Sequence, residues 1–181
     1  MRYKYADQLA AGRDTEDRFS AWLRGHGRHV RAATLEEQYS GIDMWVSEHD
    51  GGRLASVEVK DDRVSVTSGR AFIETVSSVA KGSDGWALTC SAEWLAVVSG
   101  DVVYWLRPGE VRARVAEWSA RCREVTTQND SGNTRGVLVP LGEIEALAEA
   151  VCLLPSTREH AAGLHDLRLL APLSDVVSGG V

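Results

Sequence analysis

The chemistry-bearing residues of this chain lie close together in the sequence. The run Leu54-Ala55-Ser56-Val57-Glu58-Val59-Lys60 alternates as a strand does. Alternation puts Glu58 and Lys60 on one face and Ala55, Val57 and Val59 on the other. Upstream, Ile42-Asp43-Met44-Trp45-Val46-Ser47 reads as the other arm of a hairpin closed by Asp50-Gly51-Gly52. Asp43 is set between Ile42 and Met44, two residues after Gly41, with Ile42, Met44 and Val46 expected on the face opposite Asp43 and Trp45. A carboxylate placed among core hydrophobes needs a partner. Two carboxylates and a lysine supply the parts for hydrolysing a phosphodiester. Hard carboxylate oxygens hold Mg²⁺ (or Mn²⁺) with several waters in place, and the metal acidifies a bound water and clamps phosphate oxygens. A neighbouring lysine orients that water and stabilises developing charge. The Val59 carbonyl, between the two side chains, is a further candidate metal ligand.

The elements that must position these residues are legible around them. Asp14 is read as the cap of a first helix whose stripe is Phe19, Trp22 and Leu23, with Glu16 and Asp17 in the first turn. An earlier start near Tyr5 continues a similar stripe through Leu9, and Gly25 and Gly27 end the helix. Strands are predicted at 29–33, 42–47, 54–60, 71–77, 94–99, 102–106 and 136–141, and helices at 109–122 and 141–153. Gly100-Asp101 marks a second tight hairpin. From Pro155 the pattern weakens: Leu164, Leu167, Leu169 and Leu170 are read as a short packed element, and Ser178-Gly179-Gly180 as a frayed end. The expected class is α/β (α+β), a central mixed sheet flanked by helices, with residues 1–154 as a single domain and 155–181 as a C-terminal extension.

Composition restricts the partners. There are 20 Lys plus Arg against 26 Asp plus Glu, a net charge of −6, which argues against a protein that coats nucleic acid non-specifically. It leaves room for a local basic groove around an acidic metal site. No apolar run approaches a membrane span, and the N-terminal residues lack the apolar core of a secretory signal. Cys90, Cys122 and Cys152 are read as reduced thiols of a cytoplasmic protein.

Ser40-Gly41-Ile42-Asp43 followed by Glu58-Val59-Lys60 resembles the two motifs of the PD-(D/E)XK nuclease superfamily, in particular its phage and Holliday-junction-resolvase-like members. The pattern covers roughly residues 14–150, although only 41–43 and 58–60 match sharply, and Ile42 stands where the superfamily's name has proline. Glu74 on a following strand, the Gly85-Trp86 segment and the turn Ala92-Glu93-Trp94 continue the likeness. The resemblance implies a restriction-endonuclease-like core and a Mg²⁺-dependent endonuclease acting on DNA. It implies Asp43 and Glu58 as metal ligands, Lys60 beside the attacking water, and Glu16 on the first helix as a fourth member. Arg63, Arg70 and Lys81, with Glu74, are candidates on the substrate side. Many enzymes of this class work as homodimers on duplex substrates.

Each residue has a plainer reading. Glu58 and Lys60 fit a surface ion pair, which contributes little. Glu16 fits a first-turn acid, Glu74 the solvent face of a strand, and Asp61 and Asp62 a solvated turn. The tryptophans are read as core residues, with Trp45 as a possible cleft residue because it shares a face with Asp43. Two alternatives stand beside the nuclease. One is a catalytically silent module of the same fold that binds nucleic acid or protein. The other is an unrelated interaction protein in which Glu58 and Lys60 pair at the surface.

Overall fold

The computed structural model describes residues 5–129 and 132–155, with side chains for 12–128 and 132–155. The predicted C-terminal element (Leu164 to Leu170) and frayed end therefore lie outside the described residues. In chain order the elements are α1 (Tyr5–Gly25), β1 (His29–Ala32), α2 (Leu35–Tyr39), β2 (Met44–Ser47), β3 (Ala55–Asp61), α3 (Ser65–Ser68), β4 (Arg70–Ser78), β5 (Ser83–Asp84), α4 (Trp86–Thr89), β6 (Trp94–Ser99), β7 (Val102–Leu106), α5 (Pro108–Arg121), β8 (Arg123–Asn129), β9 (Gly132–Pro140), α6 (Leu141–Leu147) and β10 (Ala150–Leu153).

They form two sheets. The first is mixed, in the order β1-β2-β3-β6-β7-β10, and the second is antiparallel, in the order β5-β4-β9-β8. In the first sheet only the β3–β6 pair is parallel, with Glu58 opposite Leu95 and Lys60 opposite Val97. The mixed α/β class is thus as expected from the sequence.

Two cores hold the layers together. Phe19, Trp22 and Leu23 of α1 pack on Met44, Val46, Ala55, Val57, Val59, Trp94, Ala96 and Val98 from one face of the first sheet. On its other face Leu95, Val97, Tyr104 and Leu106 meet Ala71, Ile73, Val137 and Val139 of the second sheet, closed by Trp118 of α5 and Ile144 of α6. β6 therefore feeds alternate residues into both cores, which is why it is buried throughout. Trp94, Trp105 and Trp118 are fully buried, as their apolar surroundings in the sequence suggested.

Several boundaries differ from the sequence reading. α1 takes the earlier of the two starts read from the sequence, Tyr5, so Asp14 is an interior residue rather than a cap, and Glu16 is not in the first turn. Residues 34–40 hold a short helix with a capping box, Thr34 accepting from Glu37 N while Glu37 accepts from Thr34 N. The predicted helix 141–153 stops at Leu147, and Ala150–Leu153 instead pairs antiparallel with β7. The unpaired edge of β7 overrides the helical propensity of that Ala- and Glu-rich stretch. β8 was not expected at all. Ile42 does not join Met44 and Val46 but packs with Cys90 and Ala92 beside Trp45, because the chain only enters β2 at Met44. The three cysteines are free thiols, as expected. Among the described residues no helix is long and apolar enough to cross a membrane.

Candidate functional site

β2 and β3 are antiparallel with Met44 opposite Val57. Before Met44 the register shifts by one: Asp43 N donates to Val57 O (2.9 Å), and on the other side Ala33 N donates to Asp43 O (3.0 Å). Gly41 makes this entry possible: its φ of +73° is open to glycine at little cost. The Asp43 carboxylate is held by the Val59 N–H, which donates to Oδ2 at 2.7 Å. That N–H is the contribution of Val59 to the site in this structure, and its side chain belongs to the core under α1.

Glu58 is only 4% exposed, so the surface-pair reading of Glu58 and Lys60 does not hold. Its Oε1 is paired with the Lys60 ammonium, and its Oε2 is buried with no hydrogen-bond partner. Lys60 keeps 30% of its side chain exposed, so the pair reaches solvent on the lysine side rather than being sealed in the core. Burial pushes the Glu58 carboxyl up to about 7, the nearby Asp43 carboxylate adds to this, and Lys60 offsets only part of it. For Lys60, burial favours the neutral amine, but Glu58, Asp43 and Glu74 outweigh it and hold the ammonium above its ordinary value. Lys60 is thus a charged donor, unsuited to removing a proton near neutral pH.

Glu16 joins the group from α1. Burial, then the nearby Asp43 carboxylate, raises it to about 6, while Lys60 opposes the rise. Asp17, one position on, is exposed. Glu74 joins from the second sheet: it accepts from Trp86 N (3.4 Å), burial raises its pKa, and it interacts with Lys60. The solvent-face reading of Glu74 therefore does not describe this half-buried carboxylate. Cys90, which sequence spacing did not single out, lies close enough for its buried thiol to feel both Glu58 and Lys60.

The predicted basic residues do not converge. Arg63 is engaged with Asp61 (2.7 Å) and Asp14 (3.7 Å), tying β3 to α1. Arg70 stands exposed at the start of β4 and Lys81 in the β4–β5 turn, neither with an ion pair among the described residues. Asp62 is no solvated turn residue: it accepts from Phe72 N (2.6 Å) and Ser65 N (3.1 Å), fixing the start of α3. Trp45 lies under the Arg31 guanidinium at 5.4 Å, which accounts for its half-burial.

Four carboxylates, from α1, β3, β4 and the residue before β2, thus act electrostatically on one lysine. Two facing carboxylates with an orphaned buried oxygen require a shared proton or a cation, and hard oxygen donors suit Mg²⁺ or Mn²⁺. As the side chains lie, no three His, Cys, Asp or Glu among the described residues are disposed to hold a metal ion. Lys60 occupies the Glu58 oxygen that a third ligand position would need. Comparison with protein-family models, curated proteins and solved structures gives no match.

Proposed function

We propose that this chain is a divalent-metal-dependent nuclease that hydrolyses DNA phosphodiesters. The observation that carries this reading is the buried Glu58 Oε2, without a hydrogen-bond partner among the described residues and near the Asp43 carboxylate, with Lys60 on the other Glu58 oxygen. Asp43 and Glu58 would hold the cation, with Glu16 and the Val59 carbonyl as further candidate ligands. When bound, the cation supplies an acidified water and a clamp on phosphate oxygens. Asp43 is oriented for this by the Val59 N–H, which fixes Oδ2. Lys60, held as an ammonium, donates to the water or to a phosphate oxygen and stabilises charge as it develops. Arg70 and Lys81, exposed and without an ion pair among the described residues, are the cations left for the flanking backbone. The likeness of Gly41-Ile42-Asp43 and Glu58-Val59-Lys60 to the PD-(D/E)XK motifs supports the same reading.

The test compares wild type with Asp43→Ala and Lys60→Ala on supercoiled plasmid, linear duplex, single strand and RNA, with Mg²⁺ or Mn²⁺. Loss of about 10²–10³-fold or more is expected for each substitution. Cleavage that survives both rules the reading out. A second reading, a silent module of this fold that binds nucleic acid or protein, is favoured by the internal use of Glu58 Oε1 and Asp43 Oδ2. Binding of nucleic acid by wild type with no cleavage under any metal would select it.

A further inference from the structure

Four strands stand at the edges of the two sheets, and three of them are short. β1 and β10 have four residues each, and β5 has two. Shortness is one way a protein blunts an edge against pairing with another chain. β8 is the exception. It runs for seven residues in an unbroken register with β9, from Arg123 opposite Leu138 to Asn129 opposite Gly132. The other pairings of the second sheet, β4 with β5 and β4 with β9, both shift register. β8 has no proline, lysine or bulge, and its two charged residues, Arg123 and Glu124, stand at one end. Apart from its ladder with β9, it makes no backbone–backbone hydrogen bond among the described residues.

The ribbon also outruns its support. β4 follows β9 only as far as Val76 opposite Arg135. β8 and β9 continue together through Thr127 opposite Thr134, Gln128 opposite Asn133 and Asn129 opposite Gly132. On the β9 side, Val79 N donates to Asn133 O (2.8 Å). Thr126, Thr127, Gln128 and Asn133 are all exposed. A two-stranded ribbon without a covered face is marginal in water, and a further strand is what stabilises it. The open side for that strand is β8.

This edge is complementary to itself. Laid antiparallel about a two-fold axis at Thr126, the midpoint of β8, every residue of the strand has an opposite number. Thr126 meets Thr126, Val125 meets Thr127, and Glu124 meets Gln128. These are β-branched and polar cross-strand pairs, and no like charges are opposed. An axis at Glu124 would set that carboxylate against its own copy and shorten the ladder. We propose that β8 pairs antiparallel with β8 of a second copy of this chain, joining the two four-stranded sheets into one. An interface of one strand pair is small, so the dimer forms and dissociates with concentration. The proposal is independent of the nuclease reading and of any bound ion.

Sedimentation equilibrium of the full chain, from about 1 µM to about 1 mM, should show monomer passing to dimer. Thr126→Lys sets two like charges together on the axis and is expected to weaken association about tenfold or more. Its melting profile should stay that of wild type, because Thr126 is exposed. A residue on the axis opposes its own copy, so Thr126→Cys in a Cys122→Ser background should form a disulfide-linked dimer under air oxidation. Glu36→Cys in the same background, exposed on α2, should not. A chain that stays monomeric across the range overturns the proposal and leaves the edge to some other extended segment. A dimer that Thr126→Lys leaves intact and Thr126→Cys fails to link overturns it too, because the interface would then lie elsewhere.

Discussion

Replacing Glu58 with glutamine separates the electrostatic conflict at the site from its shape. In the folded chain the Glu58 carboxyl is lifted from 4.5 to about 7, chiefly by burial. A displacement of that size corresponds to at most on the order of 3 kcal/mol, because each pKa unit is worth about 1.4 kcal/mol. The sign follows from the direction. The folded state holds this proton more tightly than the unfolded chain, so the stabilisation is complete below about pH 4.5 and is lost as pH rises through 7. Glu16, half-buried and raised to about 6, contributes in the same direction by a smaller, solvent-screened amount. Thermal unfolding of the metal-free protein, followed by circular dichroism from pH 5 to pH 8, should therefore show a falling Tm. For a chain of this size about 3 kcal/mol corresponds to roughly 6–12 °C. Glu58→Gln carries no titrating proton at this position, and its Tm should be markedly flatter over the same range. Mg²⁺ should reverse the alkaline loss in wild type and not in the variant, since a cation binds the ionised carboxylate. A wild-type profile parallel to that of Glu58→Gln would refute the placement of Glu58 as a buried, proton-hungry carboxylate.

Three further outcomes follow from other contacts. Gly41→Ala forces a side chain into φ +73° with its Cβ 3.3 Å from Cys90 Cα, so it should cost about 1–2 kcal/mol in chemical denaturation and lower cleavage by displacing Asp43. Thr34→Ala removes one half of the capping box of α2 and should cost about 1 kcal/mol, leaving the core melting profile otherwise unchanged. Arg107 lies 3.4 Å over the Trp94 ring and pairs with Glu149 (3.0 Å); Arg107→Ala should cost about 1–2 kcal/mol and shift the tryptophan fluorescence.

What the sequence disclosed was governed by how local each signal is. β3, β6 and β7 follow from alternation or apolar runs bounded by glycine turns, and both hairpin turns were marked by Asp-Gly or Gly-Asp pairs. Asp43, Glu58 and Lys60 were legible because they are cross-strand or same-face neighbours within one hairpin. Glu16 and Glu74 were only ambiguous, because their approach to Lys60 depends on how α1 and the second sheet dock. β10 was misread as helix because the decisive term, the open edge of β7, is remote in sequence. β8, Arg-Glu-Val-Thr-Thr-Gln-Asn, carries no alternation of apolar residues because neither face is deeply buried. The capping box at Thr34 and Glu37 was present as a signal and would have located α2.

The parallel pairing of β3 with β6 has a kinetic consequence. A parallel pair cannot be closed by a hairpin, and here the connection, residues 62–93, carries α3, the second-sheet strands β4 and β5, and α4 on its way. Lys60 can acquire its neighbour Val97 only after that whole excursion has been threaded, so the contacts that fix the β3 end form at long sequence separation. Chains dominated by such contacts pay their loop-closure entropy before they are rewarded for it. The β2–β3 hairpin can bring Asp43 to Glu58 early and unaided, whereas Glu74 arrives only when the second sheet docks. The carboxylate cluster should therefore assemble in two steps, and slow refolding should be seen in recovery of the complete site rather than in formation of the hairpin that carries its first three members.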